Sequence, residues 1–288
     1  MPRPVTAGVD GSAESKAAAA WAAREAVRRG LPLHVVHSWG WHPQLPAPLD
    51  IQARSRAERT VQEAETCLRT AHPGLVLTTA MTTEPAVPAL LDCSESGQML
   101  VLGSSGHSAV AGFLLGSIGQ QVLARATGPV VMVRANEHAD EDQEGKDIVV
   151  ALAELGGAAQ PLLRFAFTAA DARGAAVRAT HTWNVPSAIR HDAEALRLVE
   201  EDGGTADRAE KALSDALRPW RRTFPRLRVV QQVERGDPGE VLVRAVPDAA
   251  LMVIGRKVRP AVLGTHIGPV AHDVLHHVAV PVAVIPHG

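Results

Sequence analysis

Gly103-Ser104-Ser105-Gly106 is followed, after nine further residues, by Gly116-Ser117. Glycine turns at that spacing suit the capture of a phosphate. They let the backbone come close to an anion, and backbone N–H groups left free at a helix start attract negative charge together with the helix dipole. Met99-Leu100-Val101-Leu102 reads as a buried strand entering the turn, and Ile118 to Ala126 as a helix leaving it. Val9-Asp10-Gly11-Ser12 closes another apolar run. A carboxylate there accepts hydrogen bonds from ribose hydroxyls or an adenine amino group, and Val35, in a second apolar run, offers backbone groups to a base edge. The plainer alternatives are an ordinary glycine turn and an Asp10 that caps the following helix, a role compatible with ligand contact.

Other chemistry finds less support. No Gly-Lys-Ser/Thr follows the glycines and no Gly-x-Gly-x-x-Gly opens the first helix, so neither standard phosphate or dinucleotide loop is present. Ser104, Ser105 and His107 lie in no Gly-x-Ser-x-Gly elbow, and no catalytic residue is assigned. His272 and His276 share a helix face at a spacing that suits zinc, but Asp273 stands where a zincin has Glu and no third ligand is identifiable, so no metal is expected. Trp39, Trp41 and Trp183 are expected to cover the core or a seam between domains, with a lid over an adenine ring as second reading. Cys67 is expected to pack on an apolar helix face, and Cys93 has no basic neighbour to activate it.

The elements that must position these residues come from a duplication. His37-Ser38-Trp39 returns as His181-Thr182-Trp183 and Gly30 as Gly174, both 144 positions on; Leu102-Gly103 returns as Ile254-Gly255 and Pro129-Val130 as Pro281-Val282, both 152 positions on. Between the copies lies a polar, acidic stretch, so the expected organisation is a domain over 1–135, a linker over 136–146 and a second domain over 147–288. Apolar runs alternate with Ala-rich amphipathic stretches, the pattern of a doubly wound parallel α/β sheet. Strands are predicted at Val5–Val9, Leu33–His37, Leu75–Thr82, Met99–Leu102 and Val130–Val133, and at Ile148–Leu152, Val177–His181, Val229–Val233, Leu251–Ile254 and Val282–Ile285. The first helix is predicted to start at a Ser12 cap, stop before Gly30 and bury Ala18, Trp21, Ala22 and Val27. Ligands bind such sheets at the carboxyl ends of the strands where strand order reverses. Asp10 and the Gly103 turn share one crevice if the first and fourth strands are neighbours.

Composition narrows the partners. The 288 residues are 46% hydrophobic, and 29 Lys and Arg against 31 Asp and Glu leave a net charge of -2, which gives no electrostatic case for nucleic acid or an anionic membrane. Two cysteines make no disulfide framework. The start MPRPVTAGVDGS lacks an apolar leader and no window approaches the ~18 apolar residues of a membrane span, so a soluble cytoplasmic protein is expected. The Ala- and Arg-rich composition fits a bacterial source.

At Val9-Asp10-Gly11-Ser12, His34-Val35-Val36 and the glycine pattern from Gly103 to Ser117, the chain resembles the universal stress protein family, as a tandem of two such domains. The resemblance implies two Rossmann-like, adenine nucleotide alpha hydrolase-like five-stranded sheets of order 3-2-1-4-5, packed as a pseudo-dimer, with dimerisation of whole chains left open. It implies ATP, with or without Mg²⁺, bound at Val9, Asp10 and Val35 for adenosine and at Gly103, Ser104, Gly106, Gly116, Ser117 and Ile118 for phosphates. In the second half Val258 stands for Gly106, Pro269 for Ser117, Glu154 for Asp10 and Gly156 for Ser12, so ATP is expected in the first half only; Arg256, Lys257 and Arg259 leave another anion open. The expected role is a stress-response or regulatory module with an unnamed protein partner. A slow ATP hydrolase and a nucleotide-free structural protein are the alternatives.

Overall fold

The computed structural model describes residues 2–40, 46–104, 116–135, 145–183, 204–246, 249–258 and 267–288. In the first half β1 (Val5–Gly8), α1 (Ala13–Arg29), β2 (Leu33–Ser38), α2 (Ala47–Ala71), β3 (Leu77–Thr82), α3 (Ala86–Ser96), β4 (Met99–Ser104), α4 (Ser117–Arg125) and β5 (Val130–Arg134) alternate. The second half repeats them as β6 (Asp147–Leu152), α5 (Ala159–Arg173), β7 (Val177–Trp183), α6 (Gly204–Thr223), β8 (Val229–Arg235), α7 (Pro238–Ala245), β9 (Ala249–Lys257), α8 (Pro269–His277) and β10 (Val282–His287). Each predicted strand is present within a few residues of its expected ends.

Strand order is β3-β2-β1-β4-β5-β10-β9-β6-β7-β8, one ten-stranded sheet. Pairs within each half are parallel, with β1 between β2 and β4 and β6 between β7 and β9. The halves meet where β5 and β10 pair antiparallel, Val131 opposite Ala283. Two outer strands with unpaired backbone thereby become interior ones. One core lies under α1, α2, α5 and α6, and the other under α3, α4, α7 and α8; each runs across the seam.

Local rules set the helix that carries the site. Ser12 caps α1 by accepting from Ser15 N, and Gly30 ends it at φ 62°, a left-handed conformation glycine adopts without strain. Ala18, Trp21 and Ala22 are buried as predicted, but Val27 is 51% exposed. Nine residues separate it from Ala18, two and a half turns at roughly 3.6 residues each, which places it on the opposite face. The inward position there belongs to Glu25. Cys67 is likewise exposed rather than packed, because α2 turns Ala57, Val61 and Leu68 inward instead.

Glu25 is fully buried at the seam between α1 and α5. It accepts from Arg29 Nε at 2.5 Å and Arg173 Nη1 at 3.2 Å, and pairs with Arg173 Nη2 as well. Arg29 and Arg173 are 144 positions apart, as are Trp21 and Phe165, and the contacts cross over. Arg29 stacks on Phe165 of the other half at 5.3 Å and Arg173 on Trp21 at 5.8 Å. Glu25 has no twin, since Ala169 occupies its matching place. On the opposite face of the sheet, Arg256 donates to the carbonyls of Ala124 (3.0 Å) and Ala126 at the end of α4, and Arg134 to that of Leu275 (2.5 Å) near the end of α8. Each half thus supplies a guanidinium to the open carbonyls of a helix in the other.

Burial opposes ionisation of Glu25, but Arg173 and Arg29 outweigh it and hold its pKa below the usual 4.5. A depressed folded-state value gives stability that is complete above about pH 4.5 and is lost as pH falls through the folded pKa. Glu25→Ala is therefore expected to cost about 3–5 kcal/mol in urea unfolding at pH 7 by leaving two buried guanidiniums without their carboxylate, and to flatten the acid limb of the stability curve. Val27→Ala should stay within about 0.5 kcal/mol.

Candidate adenine-nucleotide crevice

Because β1 lies beside β4, their carboxyl ends open into one crevice of about 260 Å³, close to the ~300 Å³ lower bound of ligand sites. Its walls come from the end of β1 (Gly8, Val9, Asp10), the start of α1 (Ser12, Glu14, Ser15), β2 (Val36, Ser38), α3, the end of β4 (Leu102, Gly103) and the first turn of α4 (Gly116 to Gly119).

Gly103 sets the width. A Cβ there would lie 2.5 Å from the Glu14 carbonyl carbon and 2.7 Å from Ser15 N, so only glycine lets the first turn of α1 close on the end of β4. Gly116 is different: φ is -55° and a Cβ would meet nothing within 4 Å among the described residues, so no backbone strain requires glycine there.

Asp10 is held by a small network. Its Oδ1 accepts from Ser12 Oγ at 2.5 Å and Ser12 N at 2.9 Å, its own N–H donates to Ser15 Oγ at 3.3 Å, and Ser15 Oγ donates to the Ser12 carbonyl at 3.0 Å. His37 Nδ1 contacts the Val9 carbonyl at 2.6 Å, fixing the strand end just before the carboxylate. Burial raises the Asp10 pKa, but the Ser12 and Ser15 hydrogen bonds and the His37 field carry it below the usual 3.8. The group is an anionic acceptor at neutral pH. Across the crevice α4 starts without a side-chain cap. Its first intrahelical bond is Gln120 N to Gly116 O, and the amides of Ser117, Ile118 and Gly119 have no acceptor among the described residues.

Of the residues predicted from sequence, Val9, Asp10, Gly103, Gly116, Ser117 and Ile118 come together here. Val35 does not. Its side chain is fully buried and its backbone stands between β1 and β3 in the sheet, while Val36 and Ser38 reach the crevice. Ser104 is also buried, its hydroxyl directed to the Val133 carbonyl at 3.4 Å. Gly106 lies outside the described residues, as do Ser105, His107, Trp41, Arg259 and His266. Glu14 and Ser15 were not anticipated, although the Ser12-x-x-Ser15 spacing is that of a capping serine and its partner amide. Of the two described tryptophans that follow the second strands, neither lines a crevice: Trp39 bonds Thr82 through its backbone and Trp183 lies under Arg235. The His272 and His276 rings meet at 4.0 Å, tilted by 45°, and no cluster of three metal-binding side chains occurs among the described residues.

Strand register corrects the matching of the halves. His181 Nδ1 contacts the Leu152 carbonyl at 2.7 Å as His37 contacts that of Val9, so Leu152 answers Val9 and Ala153, not Glu154, answers Asp10. One inserted residue restores the 144-residue spacing before α5. Ser12, Glu14 and Ser15 are then matched by Gly156, Ala158 and Ala159, and α8 begins with Pro269, which has no N–H.

The sequence matches the family described as Universal stress protein family over residues 1–134 and 145–286. The chain belongs to the universal stress protein family. It is 32% identical to a universal stress protein of Mycolicibacterium smegmatis, over 98% of this chain and 96% of that protein. A universal stress protein from Archaeoglobus fulgidus shares its fold, with a TM-score of 0.70 and 18% identity, over 99% of this chain and 98% of that one. A second from that organism, solved in complex with dAMP, aligns with 49% of this chain at 25% identity and a TM-score of 0.32.

In this family member Ser12 both caps α1 and holds Asp10. Ser12→Ala is expected to cost about 1 kcal/mol in thermal unfolding and to raise the Asp10 pKa toward 3.8, as read by NMR titration of the carboxyl carbon.

Proposed function

We propose that this universal stress protein binds ATP, as its Mg²⁺ complex, in the first half only, and works as a regulatory module of the stress response in the bacterial cytoplasm. One observation carries the reading. In the first half an anionic Asp10 and the uncapped start of α4 face one crevice, whereas in the second half Ala153 and Pro269 stand in their places.

Asp10 suits the ribose hydroxyls, and the amides of Ser117, Ile118 and Gly119 suit a phosphate. The described crevice residues include Asp10 and Glu14 but no Lys or Arg. A phosphate chain partly neutralised by Mg²⁺ fits such a lining better than a bare one. Filled and empty crevices differ at the start of α4, where Ile118 is 44% exposed, and that difference is what a protein partner would read.

Protein purified without added nucleotide and then denatured is expected to release about one adenine nucleotide per chain, identified by mass; two per chain would overturn the restriction to the first half. If none co-purifies, titration with MgATP should saturate at one site. Asp10→Ala with Ser117→Pro, which installs the second half's own residues, should weaken ATP by roughly tenfold or more, the loss of one charged hydrogen bond at about 1.5–3 kcal/mol. Unchanged affinity in that variant would exclude this crevice. Steady phosphate release would instead make the protein a hydrolase.

A further inference from the structure

The second half keeps an open crevice in the matching place, about 210 Å³ against about 260 Å³ in the first. Leu152, Leu162, Leu242, Ile254 and Val270 are among its walls. Most polar groups that equip the first crevice are gone: Asp10, Ser12, Ser15 and Ser117 are matched by Ala153, Gly156, Ala159 and Pro269, while Ser38 is matched by Thr182 and Glu154 lines the crevice as well. A crevice that has merely lost its ligand is readily filled, because larger apolar side chains gain burial energy and remove empty volume. Here most of the polarity has been removed and the space retained.

The described charged groups around the crevice are already paired. Arg256 is buried and bonded across the seam to Ala124 and Ala126, and Lys257 pairs with Glu154 at 3.2 Å. The Thr180 hydroxyl is directed to Gln232 at 3.4 Å. Two further polar groups remain on the described wall, the Thr182 hydroxyl, which answers Ser38, and the His287 imidazole. The His287 ring lies over Gly255, where a Cβ would come within 2.7 Å of Nε2, and lines the crevice. Nδ1 is shielded from water without a hydrogen-bond partner. Nε2 is not shielded in that way and bonds to no other described residue, so it is the ring nitrogen a ligand reaches. Burial, with Lys257 and Arg256 nearby, holds its pKa below the usual 6.5 against the pull of Glu154. The imidazole is therefore a neutral polar group in an apolar wall.

We infer that the second crevice binds an uncharged, largely apolar small molecule whose single hydroxyl or amide group bonds to the His287 imidazole. An apolar cavity of about 150 Å³ lined by Leu, Ile and Phe is enough to take benzene, so this one accommodates a somewhat larger body. The site is separate from the ATP reading and does not depend on it.

The full chain titrated with 2-naphthol, followed by naphthol fluorescence excited beyond tryptophan absorption, is expected to show one saturable site per chain, unmoved by saturating MgATP. Ala158→Trp, at a half-exposed position on the crevice wall, should abolish it. Val270→Trp is the second blocking variant should the first fail to fold by circular dichroism. His287→Phe keeps the wall apolar and should weaken binding about five- to tenfold, the worth of one neutral hydrogen bond. No saturable binding, displacement by MgATP, or indifference to folded blocking variants would overturn the site, and unchanged affinity in His287→Phe would overturn the role of the imidazole. A failure of ATP to bind the first half would leave the naphthol isotherm as it is, so the two readings fail separately.

Discussion

The antiparallel pairing of β5 with β10 is the constraint from which the rest of the molecule follows. Each half ends its sheet on a strand of Val, Met and Ala residues buried on both faces, with a row of backbone donors and acceptors that would be unpaired in isolation. Joining the two strands satisfies both edges and forces the helices on either face into contact across the join. Those contacts are then built from arginines. Arg29 and Arg173 share Glu25 on one face, and Arg134 and Arg256 serve helix ends on the other. The helix whose first turn lines the first crevice is thus held at its last turn by a residue of the second half. The site belongs to one half by its lining and to both by its support.

The halves differ in chemistry at their crevices. Two features of the framework are kept: glycine at φ 62° ends both α1 and α5, and a histidine on the second strand of each half holds the carbonyl at the end of the first. What changes is the hydrogen-bonding equipment placed on that framework. One seam feature changes too, since a single carboxylate serves two guanidiniums and Arg29 Nη2 is left shielded without a hydrogen bond. Stacking on Phe165 gives that guanidinium a polarisable face in place of a second acceptor.

Much of this was legible in the sequence, and the boundary has physical causes. Caps and strand cores are local, so Ser12, Gly30 and the apolar runs announce themselves, and the repeat doubles every signal. Val27 and Cys67 were misplaced because a helix face is decided by angle, and an apolar residue one step off the stripe looks like a member of it. Glu154 was matched to Asp10 because the inserted residue sits between a strand and a helix, where only ladder register and the paired His37 and His181 contacts reveal it. Val35 was assigned to the site by position on a strand whose alternate residues face opposite sides. The arginine contacts across the seam join residues far apart in the chain and leave no local trace.

Carrying both halves on one chain also changes what the seam means thermodynamically and in descent. In a symmetric dimer of separate subunits the same pairing would dissociate on dilution, whereas here the halves meet at an effective concentration set by the connecting segment, whatever the amount of protein. Identical subunits would also receive every substitution twice, once in each crevice. A covalent pair is released from that symmetry, so Pro269 could enter one crevice while Ser117 stayed in the other. Twofold architecture persists as scaffold after it has ceased to be twofold in chemistry.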